Sequence, residues 1–169
     1  MKHSDGHILE VSKSQAGLWL KALELMRRRI LVEQDAQTDL FGGRIEQAEV
    51  DVHFFLVALL RYHRSVRLAA EYLPPDGELR RRIDGFHEYL GIKRTMRNVG
   101  EHFDEYLVGR GRDQAIDSRS LQVWSMDINT TNLGFSWLGE TFDLERTMRE
   151  AATLWAEFLT SFNRAIAAT

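Results

Sequence analysis

Apolar residues recur along most of this chain at the three- and four-residue spacing of an amphipathic helix. From Val11 to about Thr38 the positions Trp19, Leu23, Met26 and Ile30 mark one face, Ser12 or Ser14 stands where a cap belongs, and Phe41-Gly42-Gly43 interrupts the pattern. The segment from Ile45 to Leu73 is strongly apolar in its middle: Phe54, Phe55, Val57, Ala58 and Leu59 are followed by Tyr62, Val66 and Ala69. This predicts a central helix buried on much of its circumference, ended by Pro74-Pro75 because proline lacks the backbone donor and disfavours helix in the residue before it. Asp76 is a suitable N-cap for a third helix carrying two stripes, Leu79, Ile83, Phe86 and Leu90, then Met96, Val99, Phe103 and Leu107. Gly91 lies between the stripes, which leaves one kinked helix or two; Gly109 and Gly111 end the run.

Between Ser118 and about Phe142 the period changes. Leu121, Val123, Trp124, Met126 and Ile128, then Phe135 and Trp137, stand at near-alternate positions around Asn129-Thr130-Thr131-Asn132, which predicts a β-hairpin. Asp143 then caps a last helix with the stripe Met148, Ala151, Leu154, Trp155, Phe158, Phe162 and Ile166. The expected fold class is all-α: a four-to-five-helix bundle with a β-hairpin inserted between the third and last helices, forming a single domain over residues 1–169. A two-stranded hairpin is marginal alone, so its aromatic face must lie either on its own bundle or on a partner.

Length and composition narrow the classes. At 169 residues the chain is long enough to bury a core without staples, and with no cysteine it excludes a disulfide scaffold and a Cys-ligated zinc module. A net charge of -3 argues against bulk coating of nucleic acid. Met1 to Glu10 lacks the apolar core of a signal peptide, and the longest apolar stretch, Val52 to Leu60, contains His53 and is about half a membrane span. The expectation is a cytoplasmic protein without membrane association. Of 22 basic residues 18 are arginine. That ratio is first the mark of compositional bias; phosphate recognition is the sharper reading, because guanidinium presents a planar fork of donors, and position must decide.

Catalytic signatures are sparse. A di-metal carboxylate bundle would want Glu-x-x-His pairs, and the chain has none; Glu46, Glu49 and His53 on the second helix are the nearest approach, and His3 and His7 are terminal. Glycine-rich nucleotide loops and the Gly-x-Ser-x-Gly elbow are absent. The expectation is neither metal nor cofactor. The densest run of reactive side chains is Met96 to Leu107, flanked by Lys93, Arg94, Arg110 and Arg112. On a wheel of ~100° per residue, Val99, Phe103 and Leu107 fall within about 60° of Met96, which predicts a core stripe. Asn98, His102 and Tyr106 line one shoulder of it, and Arg97 lies roughly 140° from His102. Bringing Arg97 and His102 to one point needs a distortion near Gly100, the reach of Arg97, or a second subunit.

Arg97-Asn98-Val99-Gly100-Glu101-His102 resembles the signature of the HEPN superfamily: Arg, then four to six residues with a polar one first, then His. Arg82 to His87 meets the bare spacing but has Ile83 in the polar place. HEPN domains are helical bundles that include metal-independent endoribonucleases and toxin components of prokaryotic defence systems. The resemblance implies a homodimer with motifs facing one cleft, an RNA substrate and an antitoxin-like protein partner. His102 would transfer protons during attack of a ribose 2'-hydroxyl, and Arg97 would stabilise the phosphorane-like transition state. Asn98 would orient phosphate or the imidazole and Glu101 would steer Arg97 or His102, with Arg94, Tyr106, Arg110 and Arg112, beside Lys93, contacting RNA phosphate. The position two after His102 is Asp104, so the modified tyrosine of some members is not implied. The competing reading is a non-catalytic helical interaction module in which Arg97, Glu101, Asp104 and Glu105 form a salt-bridged solvent face. The arginine runs 27–29 and 80–82 are expected to be exposed helix faces.

Overall fold

The computed structural model describes residues 5–35, 43–116, 119, 121, 124–128 and 133–168. The expected breaker at Phe41-Gly42, the Asn129 to Asn132 turn, Ser118, Val123 and His3 lie outside the described residues, as do the side chains of Glu46, Glu49, Trp124 and Met126. Among the described residues the chain is mainly helical: α1 (Asp5–Asp35), α2 (Gly43–Ala70), α3 (Gly77–Tyr89), α4 (Gly91–Glu101), α5 (Phe103–Leu107), strands β1 (Trp124–Ile128), β2 (Leu133–Trp137) and β3 (Glu140–Asp143), then α6 (Leu144–Ala167). Its contacts fall into two compact units, residues 1–90 with 149–169, and residues 91–148.

The first unit is built around α2. Its fully or nearly buried residues include Val52, Phe55, Leu59, Tyr62 and Val66, and the buried positions span roughly 200° of the helical wheel. Helices α1 and α3 pack against it. The third neighbour is α6, where the buried Tyr62 hydroxyl donates to the Ala151 carbonyl at 2.8 Å, and Leu154, Phe158 and Phe162 are buried. Burial of Tyr62 pushes its phenol far above its ordinary range, so it stays a donor at any working pH. Ile166, expected on the α6 core stripe, is 57 % exposed because the stripe outruns its neighbours.

Two polar linkages fix the angles of these helices. Arg29 on α1 donates to the buried Asp51 on α2 at 3.1 Å, so the run at 27–29 is not simply a solvated face. Asp76 caps α3 with one carboxylate oxygen, accepting from the backbone of Glu78 (3.0 Å) and Leu79 (3.2 Å), and its other oxygen accepts from Ser161 (2.6 Å) and Arg164 (3.0 Å) of α6. The expected cap therefore doubles as a tie between two helices. The Ser161 hydroxyl first, then the backbone donors and Arg164, hold its carboxyl below the ordinary aspartate value. Helix α1, by contrast, begins at Asp5 rather than near Val11, and Ser12 is buried within it instead of capping it.

In the second unit, Gly91 opens a new helix after the Leu90 cap, which resolves the choice in favour of two helices. The expected hairpin is a three-stranded antiparallel meander in the order β1-β2-β3, with Met126 opposite Phe135 and Phe135 opposite Phe142. The third strand was not legible in the pattern because its turn, Leu138-Gly139, carries an apolar residue. Both have positive φ, 56° and 77°, the geometry that lets a two-residue loop match the twist of the strands. Phe135, Trp137 and Phe142 are buried, and the Trp137 indole donates to the Leu121 carbonyl at 3.1 Å, so the described aromatics of the sheet face inward. Asp143 caps α6 as expected, accepting from the Arg146 backbone at 2.8 Å.

Three measurements check these linkages. Tyr62→Phe should lower stability by about 1 kcal/mol in urea unfolding, the worth of one buried hydrogen bond. Asp76→Asn should be less stable than the parent at neutral pH. A carboxyl with a depressed native pKa stabilises above its unfolded value of 3.8 and loses that contribution as pH falls through the native value, so the two proteins should converge under acid. Leu138→Asn, which suits a left-handed turn position, should raise the thermal midpoint, by up to about 1 kcal/mol in stability.

Candidate functional site

The candidate motif occupies the end of α4 and the break that follows it. Helix α4 carries Met96 and Val99 fully buried, and it stops at Glu101; His102 adopts φ -121° and ψ 34°, outside helical geometry, before α5 resumes. The break changes which residues face the core. Phe103 and Leu107, expected on the core stripe, are 39 % and 47 % exposed, whereas Tyr106, expected on its shoulder, is buried. On an unbroken wheel Tyr106 lies only about 20° from Val99 and Leu107 about 80°, so a modest turn of the α5 axis suffices for the exchange. Leaving Phe103 and Leu107 partly in water forgoes on the order of 1 kcal/mol each relative to full burial.

Tyr106 is held by the loop that follows. Its ring covers Gly111 so closely that a Cβ there would overlap the ring carbons, and its hydroxyl accepts from the Asp113 backbone at 3.2 Å. Helix α5 closes in a Schellman motif: Gly109, at φ 72°, donates to the Tyr106 carbonyl at 3.1 Å, and Arg110 donates to the Glu105 carbonyl at 2.8 Å. Tyr106, expected at a phosphate contact, thus has a structural task. Arg110 and Arg112 stand exposed on this loop.

The structure sorts the motif into two separate pairs. Arg97, with 15 % of its side chain exposed, is 2.6 Å from the Glu101 carboxylate one turn on and donates to the Asn98 side-chain oxygen at 2.8 Å. Its buried Nε has no hydrogen-bond partner among the described residues. His102 has 55 % of its side chain exposed, with Nδ1 3.4 Å from the Glu105 carboxylate. No hydrogen bond or ion pair joins Arg97 to His102 among the described residues. Glu101, expected on Arg97 or His102, lies on Arg97; Asn98, expected toward phosphate or the imidazole, accepts from Arg97 instead; and Glu105, which the motif did not single out, belongs with His102. An i, i+3 relation across a helix start was the available signal for it. Arg94 is half-buried on α4.

Lys93, expected in the cationic fringe, is 5 % exposed, with its ammonium 5.8 Å from the centre of the Phe142 ring. Burial, and then the nearby Arg146 guanidinium, pushes its pKa down to about 8. It belongs to the core of residues 91–148 and not to a phosphate-facing surface. No group of three or more metal-ligating side chains exists among the described residues. Two cavities lie in the first unit: one of about 510 Å³ lined by Arg67, Leu79 and Arg80, another of about 580 Å³ lined by Lys13, Gly17 and Trp155. Neither is lined by Arg97 or His102. At the second arginine-histidine spacing, Arg82 is 3.8 Å from Glu150, while His87 lies against the buried His63 with ring centres 5.3 Å apart. That arrangement gives the pair no shared target. No helix among the described residues is long and apolar enough to cross a membrane.

Comparison with protein-family models, with curated proteins and with solved structures finds no match to this chain.

Two outcomes are expected here. Between pH 8 and 10.5 the unfolded chain keeps a proton at Lys93 that the folded chain has released, so stability contributed by this residue rises with pH across that window. Lys93→Met should abolish that rise and be the more stable protein at neutral pH, read from urea unfolding on either side of the window. Gly111→Ala should cost about 1–3 kcal/mol by forcing the Tyr106 ring aside, a loss checked by the thermal midpoint.

Proposed function

We propose that this is a HEPN-like helical domain that cuts RNA without a metal, through His102 and Arg97. The observation that carries the reading is the break at His102: the imidazole is more than half in solvent, with a carboxylate 3.4 Å from Nδ1, about one and a half helical turns along the chain from the mostly covered Arg97. A carboxylate beside Nδ1 orients the ring and leaves Nε2 for proton transfer. The 2'-oxygen attacks the adjacent phosphorus, the bond to the 5'-oxygen breaks, and a cyclic phosphate remains. His102 takes the hydroxyl proton; in a homodimer the second copy's imidazolium returns one to the leaving oxygen. Arg97 offsets the charge gathering on phosphorus, held in place by Glu101 and Asn98. Exposed Arg110 and Arg112, with Arg94, attract the RNA backbone. An antitoxin-like protein partner and a cytoplasmic setting accompany this reading.

A second reading, a non-catalytic helical interaction module, is favoured by one observation: Glu101 already neutralises Arg97 within its own helix.

The test is incubation of wild type, His102→Ala and Arg97→Ala with RNA in excess chelator. Cleavage by the wild type, 2',3'-cyclic phosphate ends, and a fall of about 100-fold or more in both variants are expected. Equal traces from all three proteins exclude the nuclease and leave the interaction module.

A further inference from the structure

The cavity of about 510 Å³ in the first unit lies where α2 ends and α3 begins. Its apolar lining includes Leu73, Leu79 and Ile83, each at most 8 % exposed, and Pro74-Pro75, whose fixed φ angles keep that wall rigid. The volume falls within the ~300–1,000 Å³ of small-molecule pockets. Asp76 also lines the cavity, but both of its oxygens already accept hydrogen bonds from α3 and α6.

The other charged groups of the lining come as two opposite pairs. Arg67, in the last turn of α2, stands four residues before Glu71, whose backbone donates to the Arg67 carbonyl at 3.3 Å; Arg80 stands four residues before Asp84 on α3. Opposite charges at that spacing are neighbours on a helix surface and pair readily. Elsewhere in this chain they do: Glu24 with Arg28 at 2.8 Å and Arg97 with Glu101 at 2.6 Å. Neither pair around the cavity closes, and among the described residues none of these four side chains has an ion pair or a side-chain hydrogen bond. An anion entering alone meets two carboxylates, and a cation alone meets two guanidinium groups. A molecule with one charge of each sign and an apolar body between them suits the whole lining.

We infer that this cavity binds a short apolar peptide by its two free ends. A guanidinium takes the terminal carboxylate through its planar fork, Glu71 or Asp84 takes the terminal ammonium, and the peptide's side chains lie against Leu73, Leu79 and Ile83. Each of the two helix ends contributes one cation and one acid, which suits charges separated by a peptide bond rather than carried on a single carbon. The site shares no residue with the Arg97 to His102 segment, so it stands or falls without the nuclease reading.

The experiment uses the full chain and the dipeptide Leu-Leu as probe, with N-acetyl-Leu-Leu, Leu-Leu-amide and free leucine beside it. Binding is read by titration calorimetry and by amide chemical shifts of isotope-labelled protein. Leu-Leu should bind saturably and shift amides between Arg67 and Asp84, and blocking either of its ends should weaken it by about 5- to 50-fold. The double variant Arg67→Gln, Arg80→Gln should bind Leu-Leu and Leu-Leu-amide alike, because the partner of the carboxylate is gone. The double variant Glu71→Gln, Asp84→Asn should bind Leu-Leu and N-acetyl-Leu-Leu alike, because the partner of the ammonium is gone. All four positions are exposed, and matched thermal midpoints certify the fold of both variants. No saturable binding of Leu-Leu, or shifts confined to other segments, overturns the site. Equal affinity of wild type for the free and blocked dipeptides overturns recognition by the ends, as does an unchanged preference in the two double variants. Free leucine binding as tightly as Leu-Leu overturns the peptide as occupant.

Discussion

Helix α2 cannot face water over most of its circumference, and the first unit of this protein follows from that. With about 200° of its wheel apolar, it needs neighbours on more than one side, and α1, α3 and α6 supply them. Hydrophobic burial fixes that these helices pack but not at what angle or register. The directional groups do that: the Tyr62 hydroxyl on the Ala151 carbonyl, Arg29 on the buried Asp51, and Asp76, whose two oxygens serve an α3 cap and an α6 tie at once. Each is a buried or half-buried polar group that is costly to leave unpaired, so each discriminates between packings of similar apolar area.

The pattern in the sequence made the long helices, the Pro74-Pro75 stop, the caps at Asp76 and Asp143 and the strands β1 and β2 legible, because each depends on local chemistry with a period or a positional signature. What was not legible depended on tertiary context. Strand β3 follows a Leu138-Gly139 turn that carries only half of the usual sequence signal. Ile166 has the right phase for the core but lies where no neighbour covers it. Lys93 sits beside an arginine in the sequence and reads as surface, yet it is buried and its pKa is lowered by that burial. Phe103 and Leu107 share a wheel sector with Met96 and Val99 only while the helix continues; Gly100 was the one local signal of a distortion there, and it did not show that the helix would stop at Glu101 and restart after His102.

The candidate site shows the same division. Sequence spacing identified Arg97, Asn98, Glu101 and His102, and their side chains are indeed grouped within one turn and a half of helix, but in two pairs with separate carboxylates. Two i-plus-few salt bridges of this kind are worth little as stabilisers in water. Their effect is on orientation: Arg97 is fixed along α4, and His102 is drawn toward α5. Under the proposed nuclease reading, a phosphate that meets both would compete with Glu101 for Arg97, and its affinity would be sensitive to ionic strength.

The Tyr106 ring over Gly111 has a consequence for the whole segment from His102 to Asp113. Five residues of helix hung on one buried ring bury little apolar surface of their own, the character of segments that open at low free-energy cost. Anything that covers Phe103 and engages His102 adds its binding energy to that small sum, and by mass action the segment becomes as firm as its occupant is tight. Amide exchange in these few residues is then a gauge of occupancy, moving with ligand while the exchange of α2 stays where the core has set it.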